Sequence, residues 1–277
     1  MQATKLLQTF TQFLIRDERE LATVLKYVRD VGQFLHWLGT RAITKEQAVA
    51  WKGALAGRGY APMTVNGKLA AINKLFLFLG KPDCRVKYLK LQRRMFRNTD
   101  RELNKGEYLR LLETAQRLGR ERLALLIESI CATGIRVSEV KYLTVEAVRS
   151  GCAEISLKGK IRTILIPGKL CRKLLKYAKK QKTTSGEIFL TRNGKSLSRH
   201  QIWSEMKSLC VAAHVPSSKV FPHNLRHLFA RTFYRIYRDV AGLADVLGHS
   251  SVETTRLYLI TTSKKYAQKL GQLNLIS

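Results

Sequence analysis

Acidic residues are scarce in this 277-residue chain. Aspartate and glutamate number 20 against 50 lysines and arginines, which gives a formal net charge of +30 at pH 7. So many positive side chains repel one another unless a polyanion offsets their charge, and the excess is present in both halves of the chain. No apolar run is long enough to span a membrane, so a nucleic acid is the expected partner and a membrane surface is the weaker alternative.

Cysteine and proline are also few, at five each. The cysteines are odd in number, widely scattered and without a Cys-x-x-Cys pair. This pattern argues against a zinc site or a disulfide framework and is typical of reduced thiols in a cytoplasm. The N-terminus has no basic region followed by an uninterrupted apolar segment, so we expect a cytoplasmic protein without a signal peptide.

The first part of the chain, residues 1–84, predicts a small all-helical domain. Apolar residues at helical spacing mark helices at 4–15 and 19–38. Thr44 can cap a third helix with Gln47 in the capping-box position, and a fourth runs from about 63 to 79. We expect its aromatic residues to pack in the core. The polar residues on or before the last helix are the expected phosphate and groove contacts, namely Thr64, Asn66, Lys68, Asn73 and Lys74.

A basic segment, residues 85–102, is predicted to link this domain to a second one at 103–277. A run of like charge usually means only a solvated segment. Between two basic domains it can instead neutralise phosphates while the domains close round a duplex, so we expect DNA contacts from Arg93, Arg94 and Arg97.

The second domain is predicted to be mainly helical with a small β-hairpin. Asn104 and Glu107 are spaced like the start of a helix. β-Branched residues on both sides of Lys158 and Lys160 predict the hairpin, with these lysines near its tip. The pattern at 187–190 allows one more short strand.

Side chains that can handle a phosphate gather in residues 221–260. An amphipathic helix is predicted over about 223–237, and His223 and Arg226 share a face in its first turn. By spacing alone His223 and His227 could be metal ligands. However, no glutamate follows the first histidine and no third ligand is arranged nearby, so we expect no metal.

Two further helices are predicted in the same segment. The first ends at Gly248, which is typical of a C-terminal cap and leaves His249 in a turn. Ser250 or Ser251 can cap the second, which carries Tyr258.

Four motifs in a fixed order carry a resemblance to a known family. They are CATGIRVSEVKYL at 131–143, LKGKIRTILIP at 157–167, PHNLRH at 222–227 and LGHSSVETTRLY at 247–258. Together they resemble the tyrosine recombinase and integrase family, in a Xer-like two-domain form without an arm-binding domain. Residues 1–84 look like the SAM-like core-binding domain of that family, and 103–277 like its catalytic domain with a C-terminal tail.

The resemblance implies a site-specific recombinase that cuts and rejoins double-stranded DNA through a covalent 3′-phosphotyrosine, without a cofactor. Tyr258 takes the place of the nucleophile. Lys158 takes the place of the lysine that protonates the leaving oxygen, and Lys160 fits that place less well. The positions that surround the phosphate are Arg136, with Glu139 orienting it, His223, Arg226 and His249.

These residue types suit that chemistry. A tyrosine hydroxyl ordinarily has a pKa of about 10, so it is mostly protonated at neutral pH and needs a base or a strong field to attack. Forked guanidinium donors match the planar charge on the non-bridging oxygens of the transition state. A lysine can supply the proton that the leaving oxygen needs.

The resemblance also implies an assembly of four protomers on two DNA duplexes. The tail after Tyr258 has apolar residues that could dock on a neighbour or fold on their own domain. Tyr266 in this tail is the rival nucleophile, but it lacks the Leu-Gly-His context.

Two other functions stay open at this stage. One is a monomeric enzyme like the type IB topoisomerases, and the other is a DNA-binding regulator of the same fold without catalysis. The intact set of candidate side chains favours the recombinase, and we expect its DNA to belong to a mobile element. The resemblance implies integration, excision or resolution of that DNA as the use of this chemistry.

Overall fold

The computed structural model describes residues 2–90, 100–157, 160–249 and 251–259. The chain divides into two compact units, Met1–Arg93 and Arg94–Ser277, each with its own hydrophobic core. No helix in the described ranges is long and apolar enough to cross a membrane.

The N-terminal unit is helical throughout its regular structure. It consists of α1 (Gln2–Arg16), α2 (Leu21–Leu38), α3 (Lys45–Gly57) and α4 (Pro62–Phe78). The predicted cap of α3 is confirmed, because the Thr44 hydroxyl accepts a hydrogen bond from the Gln47 amide at 3.3 Å. Large aromatic side chains fill the core as predicted, among them Phe34, Trp51 and Phe76.

Two asparagines of α4 bind the chain itself. Asn73 is buried, and its side-chain amide both donates to and accepts from the main chain of Val86, each bond being 2.9 Å long. Asn66 makes the same pair of bonds to Leu89, at 2.9 and 2.8 Å. The start of the predicted linker is therefore hydrogen-bonded to the N-terminal unit at Val86 and Leu89, and the predicted boundary at residue 85 stays a prediction.

Two lysines of α4 are paired inside the same unit. Lys68 is buried, with its Nζ 3.3 Å from Asp30 Oδ1 on α2. The Nζ of Lys74 lies 3.1 Å from the carboxylate of Asp17. An amine held in a buried ion pair is not free to meet a phosphate without breaking that pair.

The side chains of Lys68 and Asn73 are thus buried with partners inside the unit, and their predicted DNA contacts stay predictions. Asn66 and Lys74 also have partners within the unit. Thr64 is exposed, so its predicted contact stays a prediction. Arg93, Arg94 and Arg97 lie outside the described residues.

The C-terminal unit is mainly helical, with one hairpin in its described part, which confirms the predicted fold class. Its strands β1 (Cys152–Leu157) and β2 (Lys160–Leu165) are antiparallel, with Cys152 opposite Leu165 and Leu157 opposite Lys160. Its helices are α5 (Lys105–Arg117), α6 (Glu121–Thr133), α7 (Val145–Ser150), α8 (Gly168–Lys180), α9 (Arg199–Lys207), α10 (Pro222–Tyr237), α11 (Val240–Leu247) and α12 (Val252–Leu259).

The local start and stop signals of this unit are mostly as predicted. Asn104 and Glu107 form a complete capping box, in which each side chain binds the other residue's main-chain amide at 2.8 Å. The expected strand at 187–190 is instead two isolated bridges, one at Glu187 and one at Leu190.

Candidate active site

Arg136 is placed by the end of α6. Gly134 closes this helix in the left-handed conformation, with φ at +65°, and a Cβ there would lie 2.6 Å from the Phe229 ring of α10. Only glycine meets both conditions, so α6 and α10 can approach closely at this point. Arg136 follows two residues later, and its side chain is 40% exposed.

Glu139 is buried beside Arg136. One of its oxygens accepts from the Arg136 main-chain amide at 2.8 Å, and the other accepts from the Arg136 guanidinium at 2.9 Å. These contacts hold the side chain of Arg136 against Glu139, the arrangement that the resemblance implies for this pair, and the Arg136 side chain stays partly exposed.

Arg226 on α10 is the second guanidinium, and it is only 2% exposed. It donates to the carbonyl oxygen of Gly134 and, at 2.8 Å, to that of Leu247. Burial, together with repulsion from Arg136, lowers the pKa of Arg226 to about 10, while a hydrogen bond with Tyr258 acts in the opposite direction. Arg226 therefore remains a cation at neutral pH.

His249 lies in the turn between α11 and α12, as predicted. Its Nε2 is 2.9 Å from Arg226 Nη2, and its Nδ1 is 2.8 Å from Thr255 Oγ1. Because a guanidinium can only donate, we assign the imidazole proton to Nδ1 and the lone pair to Nε2. Burial, and then the nearby charges of Arg226 and Arg136, lower the pKa of His249 to about 4, so it is neutral at pH 7.

Tyr258 on α12 is only 6% exposed and lies among the histidines. Its ring centroid is 5.5 Å from that of His249, in a stacked arrangement, and 5.7 Å from that of His223. The ring of His227 is closer still, at 4.2 Å. The structure thus brings together Tyr258, His223, His249, Arg226 and Arg136, which the sequence predicts to act jointly.

Three neighbours of the site were not predicted as part of it. His227, which we expected to be structural, is buried with its ring 4.5 Å from that of His223. Thr255 is hydrogen-bonded to the His249 ring. Because it lies three residues before Tyr258 on a helix, the sequence could have indicated that both side chains are on the same face. Arg162 forms an ion pair with Glu139, and no local sequence pattern predicts that contact.

Several predicted features fall elsewhere. Lys158, the candidate proton donor, and the C-terminal tail with Tyr266 lie outside the described residues. In the ranges that the structure does describe, no three His, Cys, Asp or Glu side chains are grouped as a metal site would require.

The arrangement can bind an anionic diester and present a hydroxyl to it. Arg136 and Arg226 supply fixed cationic donors, and Tyr258 supplies the oxygen. His223 lies at the exposed start of α10, near the same phenol, where it can exchange a proton with it. These features are typical of an enzyme that cleaves and re-forms phosphodiester bonds through a tyrosine.

Comparison with known proteins agrees with this class. Residues 101–265 match the model of the phage integrase family, and residues 7–81 match that of the phage integrase N-terminal SAM-like domain. The chain is 30% identical to tyrosine recombinase XerC of Roseiflexus castenholzii, over 88% of this chain and 85% of that protein. It is 26% identical to tyrosine recombinase XerA of Pyrococcus furiosus, over 99% and 95%.

A solved structure has the same fold. The crystal structure of XerH site-specific recombinase bound to palindromic difH substrate, a post-cleavage complex, superposes with a TM-score of 0.72 at 19% identity, over 97% of this chain and 84% of that one. The chain belongs to the phage integrase family. It is a tyrosine recombinase, an enzyme that cleaves and rejoins DNA at specific sites.

Proposed function

We propose that Tyr258 carries out the recombination by forming a covalent bond to the 3′-phosphate of the cleaved strand. The observation that carries this proposal is the position of the Tyr258 ring, which is buried beside the rings of His249 and His223, with Arg226 bonded to the same His249. A tyrosine that served only to pack the core would not need this polar surrounding.

The reaction has two balanced steps. In the first, the Tyr258 oxygen attacks the phosphorus, the bond to the 5′ oxygen breaks, and the phenolic proton passes to the imidazole of His223. The leaving 5′ oxygen takes a proton from Lys158, whose assignment rests on the sequence motif. In the second step the 5′ hydroxyl of another strand attacks the phosphotyrosine and reverses these transfers. The phosphotyrosine linkage conserves the energy of the broken ester bond, so no nucleoside triphosphate is consumed.

Phosphate binding must change the partners of Arg226. In the DNA-free protein its donors are directed at the carbonyls of Gly134 and Leu247 and at His249. Arg136 is half-exposed and can contact the phosphate first. A charged oxygen is a better acceptor than a neutral carbonyl, so Arg226 then turns to the substrate and its contact with His249 is released. His249 can afterwards take up a proton and donate it to a non-bridging oxygen.

The N-terminal unit and the basic linker are proposed to contribute DNA contacts of their own. The matches to a SAM-like domain and to a DNA-bound recombinase of the same fold support this proposal. Thr64, Arg93, Arg94 and Arg97 remain its candidate contacts.

We further propose that four protomers act on two duplexes, because a covalent exchange of two strands at two sites needs one active tyrosine for each cut strand. Docking of the C-terminal tail on a neighbour would join them. Removing the residues after 259 should then leave duplex binding by one protomer intact and prevent the paired assembly, as measured by mass photometry on DNA. If the tail folds on its own domain, the paired assembly should survive the truncation.

The source of the DNA remains the prediction made from the sequence, a mobile element. Acting on such DNA would place the enzyme in the cytoplasm of a prokaryotic cell. Resolution of chromosome dimers, integration and excision differ in the target sites and not in this chemistry.

One capture experiment tests the activity and finds the site. The protein is incubated with sheared DNA of its source cell, denatured, and the DNA that stays covalently bound is sequenced. We expect one enriched sequence with wild type and none with Tyr258→Phe. Enrichment at the ends of a movable segment would support the mobile element, and a single chromosomal site would oppose it. Relaxation of any supercoiled plasmid, without site preference, would contradict a recombinase.

A further inference from the structure

Arg162 on β2 lies inside the network of the site although no motif role falls on it. Its side chain is only 14% exposed, and its guanidinium pairs with Glu139 and donates to the carbonyl of Leu247. We propose that Arg162 is a positioning residue that keeps Arg136 and His249 in place for the phosphate. This inference rests on the proposed function, because it concerns the same site.

The first part of the argument is the charge of Glu139. This buried carboxylate faces two guanidinium groups, with Oε1 on Arg136 and Oε2 on Arg162. Without Arg162, Arg136 would be the one guanidinium left beside Glu139 among the described residues, and the carboxylate would offset most of its charge. With Arg162 present, Glu139 is already neutralised, so the exposed part of Arg136 keeps its positive charge for a phosphate.

The second part is the turn that carries His249. Arg162 and Arg226 both donate to the Leu247 carbonyl, and Arg136 donates to the Gly248 carbonyl at 3.3 Å. His249 is the next residue. The three guanidinium groups therefore fix the main chain directly before the catalytic imidazole.

Gly248 shows how closely Arg162 packs on this turn. Its φ is +62°, and a Cβ added there would lie 2.6 Å from Arg162 Nη1. The left-handed backbone at residue 248 by itself favours glycine. The Arg162 guanidinium is a second reason, because it occupies the space that a side chain at residue 248 would need.

The contact also joins distant parts of the fold. Arg162 belongs to the hairpin, Glu139 to the 3₁₀ turn Val137–Tyr142 that follows α6, and Leu247 to the end of α11. Burial lowers the pKa of Arg162, and the adjacent Glu139 opposes that shift. The residue is a largely buried cation that links three elements at the phosphate site.

The test compares Arg162→Gln and Arg162→Lys with wild type. Arg149→Gln is the matched control, because Arg149 is an exposed arginine of α7 in the same unit. Single-turnover cleavage is measured at saturating duplex, which separates the chemical step from DNA binding. We expect Arg162→Gln to lower the rate by about 10- to 100-fold, as is typical when a side chain that orients a catalytic group is lost. Arg162→Lys should recover part of the rate, and Arg149→Gln should match wild type.

A second substrate distinguishes positioning from a general loss of structure. A methylphosphonate at the cleaved position has one non-bridging oxygen replaced by a methyl group and carries no charge, so it depends less on the arginines. The ratio of the two cleavage rates does not depend on how much protein is folded. We expect the factor by which Arg162→Gln lowers the cleavage rate to be at least tenfold smaller on the methylphosphonate than on the natural phosphate.

Equal losses on both substrates would overturn the proposal and leave Arg162 a structural residue, and so would an unchanged rate on the natural phosphate. If wild type itself made no covalent product on either substrate, the proposed function would fail, which is a separate result.

Discussion

The charge state of His249 is set by its neighbours. Its Nε2 accepts a hydrogen bond from Arg226, and the positive charges of the surrounding arginines disfavour protonation of the imidazole. A phosphate bound between them would reverse that preference, because it adds negative charge at the same place. The imidazole is thus neutral before DNA binds and ready to be protonated afterwards.

A pH dependence of stability follows from this depressed pKa. The folded value of His249 is about 4, against 6.5 as its ordinary value. Between these two pH values the unfolded chain binds more protons than the folded one, so the stability present above pH 6.5 is lost as the pH falls toward 4. We expect His249→Asn to lose less unfolding free energy than wild type over this window, as measured by urea unfolding at pH 7, 5.5 and 4.5. Parallel losses in the two proteins would contradict the assigned pKa.

Asn73 offers a second test at the level of one residue. Removing its amide in Asn73→Ala leaves the main-chain N–H and C=O of Val86 without their partner. We expect a loss of about 2–3 kcal/mol in unfolding free energy, the cost of buried polar groups left unpaired. The exposed Thr64→Ala is the control and should change stability by less than about 0.5 kcal/mol.

Urea unfolding followed by tryptophan fluorescence can measure this, since Trp37 and Trp51 belong to the same unit as Asn73. A stable Asn73→Ala protein with weakened DNA binding would support the DNA contact that the sequence predicts for Asn73.

At the level of elements, the site depends on how closely α6 and α10 approach. Gly134 allows this contact, and its carbonyl also accepts from Arg226. A side chain at this position would push Phe229 away and move both arginines. The helix end therefore determines the geometry of the phosphate site as well as the local packing.

Gly134→Ala should be costly for two separable reasons. A left-handed φ costs a residue with a Cβ roughly 1–2 kcal/mol, and overpacking against Phe229 adds about 1–3 kcal/mol. Gly151→Ala is a matched control, because Gly151 has a φ of +75° at the end of α7 with nothing within 4 Å of an added Cβ. It should show the first cost only. Thermal unfolding of the two variants checks the difference, and equal destabilisation would show that the contact with Phe229 is unimportant.

The elements themselves were largely predictable from the sequence, because their signals are local. Helical spacing, the caps at Thr44 and Asn104 and the β-branched residues of the hairpin each act within a few residues of the chain. The segment 187–190 was less predictable, since its bridges depend on partners elsewhere in the fold.

The site was predictable only as far as its motifs reach. Tyr258, His249 and Arg226 were identified by resemblance, and the structure brings them together. Arg162 was missed because its partner Glu139 is distant in sequence and meets it only in the folded unit. The internal partners of Asn73 and Lys68 were missed for the same reason, since the polarity of a helical residue does not show whether it has a buried partner in the folded unit.

At the scale of the whole molecule, the charge of +30 governs the affinity for DNA. Each phosphate neutralised by a lysine or arginine releases counterions, so binding should weaken steeply with salt. If Arg93, Arg94 and Arg97 each contact a phosphate, replacing all three with alanine should reduce the slope of log K against log salt concentration by about 2–3. Fluorescence anisotropy over a salt series measures this slope, and an unchanged slope would remove the linker from the interface.

The residue that becomes linked to DNA is the central claim, and mass spectrometry can identify it directly. Covalent complexes of wild type are digested with nuclease and then with trypsin, which separates Tyr258 from Tyr266 because Lys264 and Lys265 lie between them. We predict a residual nucleotide, attached through its 3′-phosphate, on the peptide that contains Tyr258. The same adduct on the Tyr266 peptide, or on any other residue, would contradict the active site described above.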